Sequence, residues 1–297
     1  MRTFFFNKYY KSANILSLIL ITISIIFLIF KGLNYGVDFK GGTLIELRVN
    51  DKNVSISNVR DSFNSLNLNG VNIKKFGNQT DYIVKFQNTD VKNPAFINEI
   101  KKKLKNSSGY DFTFRRVENV GPKVSSELLK SGIIAIALSL FAMLFYIWIR
   151  FEWQFSIGAI IALFHDVIIT LGIFSIFSLE INLSIVAAVL TIVGYSMNDT
   201  VVIYDRVRDN LKKYSNIKIF ELTNISINET LSRTIITSVT TLLALVSIYV
   251  FGGEILKGFS FAMILGVIFG TYSSIYIACP LLVSLKVTQK TVLKEKD

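Results

Sequence analysis

The stretch whose reading decides the fold runs from Asn182 to Leu211, NLSIVAAVLTIVGYSMNDTVVIYDRVRDNL. It opens as an apolar run long enough to cross a bilayer. Asn198 and Asp199 interrupt the run with apolar residues on both sides, and Asp205-Arg206-Val207-Arg208-Asp209 closes it in charge. An ionised carboxylate in hydrocarbon costs roughly 2.5–3.5 kcal/mol on insertion scales. A leucine would avoid that cost, so Asp199 is expected to handle protons or ions.

The rest of the chain supplies a membrane setting. Of its 297 residues 51% are hydrophobic, and they gather in long runs, the mark of an integral membrane protein. Six runs are visible, at 14–30, 129–149, 155–177, 183–204, 231–251 and 258–285. The first is too long for a signal-peptide core and lacks a small-residue cleavage site, so it reads as an uncleaved helix. The net charge of +11 reads as basic residues flanking spans rather than as a nucleic-acid surface.

Flanking charge sets the expected orientation. Arg2, Lys8 and Lys11 precede the first run, Arg206, Arg208, Lys212, Lys213 and Lys218 lie between the fourth and fifth, and Lys286, Lys290, Lys294 and Lys296 follow the last. The opposite short loops carry Glu180, Glu254 and Lys257. The positive-inside rule then places both termini in the cytoplasm and residues 32–128 outside. The predicted organisation is a cytoplasmic N-terminus at 1–13, a first transmembrane helix at 14–31, an extracytoplasmic domain and hinge at 32–128, a five-helix membrane domain at 129–285 and a cytoplasmic tail at 286–297.

The outer segment has a pattern of its own. Thr43–Val49 alternates as a strand, and Ile56, Val59, Phe63 and Leu66 share one helical face. Asn69-Gly70 marks a turn, Val71–Phe76 and Tyr82–Phe86 alternate across Gly77-Asn78, Pro94–Leu104 is helical, and Tyr110–Val117 is a last strand. The order βαββαβ is the ferredoxin-like split unit. The fold class is therefore an α-helical polytopic membrane protein of six transmembrane helices, with an α+β ferredoxin-like domain inserted between helices 1 and 2. Gly121-Pro122 ends the domain and starts the second span, as a hinge or as a plain helix start.

Few ionisable residues fall inside the spans. Asp199 in the fourth and Arg233 in the fifth lie at similar depth, roughly 7–8 Å and 6 Å from the same boundary at 1.5 Å per residue. Paired, they would offset part of the cost of burial, and separating them would favour proton uptake. Arg233 near a helix end can also snorkel to the interface. His165 and Asp166 sit mid-way along the third span. Adjacent residues project about 100° apart on a helix, so they are not expected to face one site together. His165 can titrate, and Asp166 can bond across helices. Asp205 and Arg206 read as interfacial charge, and Asn198 as a polar neighbour of Asp199. Gly266 and Gly270 form a G-x-x-x-G step that permits close helix contact, and Pro280 is expected to kink the last helix. One His and one Cys give no metal-ligand set. No phosphate-binding loop is present, so neither a cofactor nor enzymatic chemistry is expected.

These residues carry a resemblance. Tyr35-Gly36-Val37-Asp38-Phe39-Lys40-Gly41-Gly42-Thr43 resembles the D-F-x-G-G signature after the first span of the SecD/SecF family. Val120-Gly121-Pro122, His165-Asp166-Val167, the run Gly194 to Thr200, Asp205-Arg206-Val207-Arg208, Glu229 to Thr234 and Gly270 to Ser274 are similar too. The small single outer domain and the N-D-T and L-S-R-T forms resemble the SecF side of the family. The resemblance implies pairing with SecD in a bundle related to the RND superfamily, beside the SecYEG channel with SecA, with YajC as a further associate. It implies use of the proton motive force to export secreted polypeptides across the bacterial cytoplasmic (inner) membrane. Asp199 and Arg233 fall on positions that the family assigns to proton transport. The alternatives are half of an RND-type small-molecule or lipid transporter, or a non-transporting assembly scaffold.

Overall fold

A computed structural model of the chain describes residues 4–51, 54–66, 68–75, 80–87, 94–214 and 217–293. The expected Gly77-Asn78 turn and the basic residues Arg2, Lys294 and Lys296 lie outside them. Six helices among the described residues are long and apolar enough to cross a membrane. They are α1 (Tyr10–Phe30), α5 (Pro122–Arg150), α6 (Trp153–Ile176), α7 (Leu183–Lys213), α8 (Ile219–Phe251) and a last span built from α9 (Gly253–Ser273), a π-helical turn (Ser274–Ala278) and α10 (Cys279–Ser284). A short α11 (Gln289–Leu293) follows.

The inserted domain comprises β2 (Gly42–Val49), α3 (Ile56–Asn64), β3 (Asn72–Lys75), β4 (Asp81–Phe86), α4 (Pro94–Ser108) and β5 (Phe112–Val120). Its sheet order β3-β4-β2-β5, antiparallel throughout, is that of the expected split βαββαβ unit. Ile45, Leu47, Val49, Val84 and Phe86 from the sheet bury against Val59 and Phe63 of α3 and Ile100 and Leu104 of α4. Ser55 caps α3 by accepting from the Asn58 amide at 3.3 Å. Tyr82 is buried and donates to the Val54 carbonyl at 2.9 Å. Burial pushes its phenol up from the ordinary value.

Two features join this domain to the bundle. The first is a two-residue strand, β1 (Asn34–Tyr35), parallel to β6 (Glu180–Ile181) in the α6–α7 connection. The second is the short helix α2 (Val37–Lys40) followed by Gly41 and Gly42, at φ +76° and +136°. Both conformations favour glycine, and a Cβ on Gly42 would come within 2.6 Å of the Phe86 carbonyl. Gly121 is the N-cap of α5 and Pro122 stands in its first turn, the helix-start reading.

Three expected helix boundaries move by seven residues or more. α7 continues past Tyr204 to Lys213, and α8 begins at Ile219 rather than near 231. The charged sequence between them is therefore mostly helical. Val207, Leu211, Leu222 and Ile227 are buried in one cluster, while Arg206 donates to Glu229 at 2.6 Å and Asn210 to Glu229 at 2.7 Å. α5 starts seven residues earlier than the apolar run, because Pro122 and the half-buried Leu128 and Leu129 belong to it.

Helix packing depends on small residues. A Cβ on Gly266 would collide with Ile192, and one on Gly270 would meet the Ser196 Cβ at 3.1 Å. The G-x-x-x-G step thus lets α9 lie close on α7. Pro280, which lacks an amide proton, stands two residues past the end of the π-helical turn, in the first turn of α10, a place where the ladder is already rearranged.

The glycine geometry gives a direct test in thermal unfolding of the full chain in detergent. Gly42→Ala meets both positive φ and a backbone clash and is expected to cost about 2–3 kcal/mol. Gly109→Ala, at φ +73° in open space, is expected to cost only about 1 kcal/mol. Equal shifts in Tm would contradict the clash.

Candidate functional site in the membrane bundle

Four consecutive side chains of the last span organise the interior. On a helix, successive residues turn by about 100°, so a run of four reaches every neighbour of a central helix. Thr271 donates to Asp199 Oδ2 on α7 at 3.4 Å and lies 2.8 Å from Ser238 Oγ on α8. Tyr272 donates to the Ala13 carbonyl on α1 at 2.8 Å, and its ring stacks on His165 with centroids 5.9 Å apart. Ser273 donates to Asp166 Oδ2 at 2.8 Å. Ser274 Oγ lies 2.8 Å from Thr200 Oγ1.

Asp166 is fully buried and fully used. Its Oδ1 lies 2.8 Å from His165 Nδ1, and its Oδ2 accepts from Ser196 at 2.6 Å as well as from Ser273. Charge-assisted bonds of this kind offset the burial of a carboxylate. The expectation that His165 and Asp166 cannot serve one site together is therefore corrected. Their Cβ atoms do diverge, but both rotamers fold the polar ends together inside the apolar bundle. His165 Nε2 is buried without a hydrogen-bond partner.

Asp199 is 3% exposed and far less well held. It accepts one long hydrogen bond, from Thr271 at 3.4 Å. Arg233 is exposed on α8, and among the described residues the two form no ion pair. The close Asp199–Arg233 pair expected from their similar depth is thus not made among the described residues. Asn198 is exposed on α7. Asp205 pairs with Arg150 at 2.8 Å and Arg206 with Glu229 at 2.6 Å, so both tie helix ends together near the far end of the bundle from the inserted domain.

The signature residues lie at the domain end. Asp38 Oδ2 accepts from the Leu183 amide at 3.0 Å, capping the N-terminus of the helix that carries Asp199. Asn182 caps the same end by accepting from the Ile185 amide at 3.1 Å. Phe39 is buried and meets Tyr35 edge-on at 6.1 Å. Lys85 of β4 forms an ion pair with Glu180 of β6.

Comparison with known proteins agrees with this architecture. Residues 99–288 match the family model "Protein export membrane protein SecD/SecF, C-terminal", and residues 26–52 match "SecD/SecF GG Motif". A protein translocase subunit SecF of Rickettsia bellii is 46% identical over 280 residues, covering 94% of this chain and 92% of its own. One of Rickettsia prowazekii is 44% identical, covering 94% and 90%. The crystal structure of SecDF, a translocon-associated membrane protein from Thermus thermophilus, superposes with a TM-score of 0.85 at 34% identity. A SecDF structure in super-membrane-facing form gives 0.72 at the same identity. This chain is covered to 96% in both but spans only 39% of those longer chains. The chain belongs to the SecD/SecF family of protein export membrane proteins. Within that family it is of the SecF type, a multi-pass subunit of the protein translocase.

The unequal support of the two carboxylates predicts unequal mutational cost. Asp166→Leu strands several buried donors at about 1–3 kcal/mol each and is expected to lower the Tm in detergent markedly. Asp199→Leu removes a poorly satisfied charge and is expected to be near neutral. The reverse ranking would contradict this division of roles.

Proposed function

We propose that the chain pairs with SecD and uses the proton motive force, through Asp199, to promote export of preproteins. The observation that carries this reading is the contrast between two buried carboxylates. Asp166 is locked by three partners, whereas Asp199 keeps one long bond and no ion pair among the described residues. A group that must take up and release a proton needs such an incompletely satisfied setting.

Arg233 supports a partner subunit. It stands exposed on a membrane helix, and a cation so placed needs an anion or an aqueous path. A SecD span with its own carboxylate beside α8 would supply one, completing a site of which Asp199 and Arg233 are this chain's share. Protonation of Asp199 removes its attraction to Arg233 and weakens its bond with Thr271. α7 and α9 then shift relative to each other. Through the Asp38 cap, β1–β6 and the Lys85–Glu180 pair, a shift of α7 reaches the inserted domain. Each charge crossing 100 mV supplies about 2.3 kcal/mol, enough to bias a two-state arrangement of this kind.

The setting proposed is the bacterial cytoplasmic membrane, with both termini cytoplasmic and the inserted domain extracytoplasmic. Beside it stand the SecYEG channel with SecA, and YajC as an associate. His165 and Asp166 hold the bundle in register, and Asn198, Asp205 and Arg206 support it.

The test is preprotein export into vesicles holding the channel, its motor, SecD and this chain, with and without a proton gradient. Asp199→Asn is expected to remove the gradient-dependent part of export, and Asp199→Glu to retain some of it. Gradient-dependent export undiminished in Asp199→Asn would rule out this role.

A further inference from the structure

A cavity of about 700 Å³ lies between the inserted domain and the membrane bundle, within the size range of small-ligand sites. Its lining is divided. Most of the apolar part, Phe174, Phe177, Leu179, Tyr249, Ile255 and Phe261, comes from the domain-side ends of α6, α8 and α9 or the chain joining α6 to α7, and Val37, Leu44 and Ile83 add to it from the domain side. Phe177 is 67% exposed, a large apolar ring with little protein cover. The charged part comes largely from the sheet of the inserted domain. It includes Lys74, Lys85 and Arg116, with Lys257 from the start of α9. The acids are Glu46 and Glu118 from the sheet, Asp38 from α2 and Glu180 from β6.

We propose that this cavity is a binding site for one phospholipid with a zwitterionic headgroup, drawn from the leaflet on the domain side. An amphipathic ligand at that depth puts its acyl chains against the aromatic floor and its headgroup against the charged wall. A lipid fits both surfaces in the orientation it already has in the bilayer. Charge selects the headgroup. Four cations face four acids, and several are already matched, Lys85 with Glu180 and Arg116 with Glu118 and Glu46. A wall balanced in this way gives an anionic headgroup no net attraction. Lys74 stands in this wall as a partner for a phosphate, and Asp38, which gives only Oδ2 to the Leu183 amide, keeps Oδ1 for an ammonium group. An unfolded polypeptide is the competing occupant, but it has no reason to align its polar and apolar parts with the membrane boundary.

The site also has a mechanical position. The same Lys85–Glu180 pair that lines it fastens the sheet to the α6–α7 connection, and Asp38 in its wall caps α7. A bound lipid would act as a third fastening between domain and bundle.

Native mass spectrometry of the full chain, released from detergent that strips annular lipid, tests the proposal. The probes are phosphatidylethanolamine and phosphatidylglycerol with identical acyl chains, and an unfolded, carboxymethylated polypeptide. Retention of one phosphatidylethanolamine per chain is expected, favoured at least about fivefold over phosphatidylglycerol. Ser184→Trp, which fills the cavity, and Phe177→Asp, which charges its floor at an exposed position, are each expected to cut retention at least about fivefold. Equal retention of the two lipids, or retention unchanged in both variants, would overturn the proposal. So would polypeptide binding that both variants abolish while lipid retention stays intact. None of these readings depends on export or on Asp199.

Discussion

Burying carboxylates among apolar helices is the constraint on which the rest of the bundle depends. Hydrocarbon offers no water to satisfy them, so the protein must bring donors of its own. It does so from Thr271 to Ser274, whose side chains reach α1, α6, α7 and α8. Gly266 and Gly270 let this helix approach α7 closely enough for those short side chains to span the gap. The π-helical turn begins at the last of the four, Ser274. Rearranged turns of that type recur at functional places in helices. Packing and polar satisfaction therefore coincide on one helix, and the uneven result, with Asp166 holding three partners and Asp199 one long bond, leaves the two acids in different settings.

The inserted domain is tied to this bundle by backbone and polar links rather than by a large apolar seam. The segment after α1 pairs with β6, Gly36 donates to the Ile181 carbonyl at 2.8 Å, and Asp38 holds the first turn of α7. Asp199 lies sixteen residues further along the same helix, roughly 24 Å at 1.5 Å per residue. A rigid helix held at one end by the domain and carrying Asp199 further along is the connection through which the proposed proton uptake would reach the domain. The double glycine is what allows this link. Only residues tolerant of positive φ let the chain turn from α2 into β2 beneath the Phe86 carbonyl.

Much of this was legible in the sequence, for identifiable reasons. Apolar runs of membrane length gave the six spans, and the alternation of Thr43–Val49 and Tyr82–Phe86 gave the strands of a split βαββαβ unit. Asp199 stood out as a carboxylate inside a run otherwise apolar enough to cross a membrane. The helical ends of α7 and α8 were hidden, since Arg206 and Asn210 look like loop residues until Glu229 and Ser226 across the hairpin are seen. The β1–β6 pairing involves two residues on each side, too few to leave a period. Thr271, Ser273, Ser196 and Ser238 were missed as functional residues. Serine and threonine in a membrane helix commonly bond their own preceding turn, as Ser274 also does with the Gly270 carbonyl, so sequence does not tell a structural hydroxyl from a ligand to a carboxylate. The His165–Asp166 contact depends on rotamers, which backbone geometry alone does not fix.

In the mechanism we propose, the charge on Asp199 sets the arrangement of the inserted domain over the bundle. Spin labels at Lys103 on α4 and Ser247 on α8, both exposed, report that arrangement as a distance distribution by pulsed electron resonance in the assembled, membrane-embedded pair. Imposing a proton gradient is expected to redistribute the distances in the native chain and to leave them unchanged in Asp199→Asn. Redistribution of equal size in Asp199→Asn would contradict it.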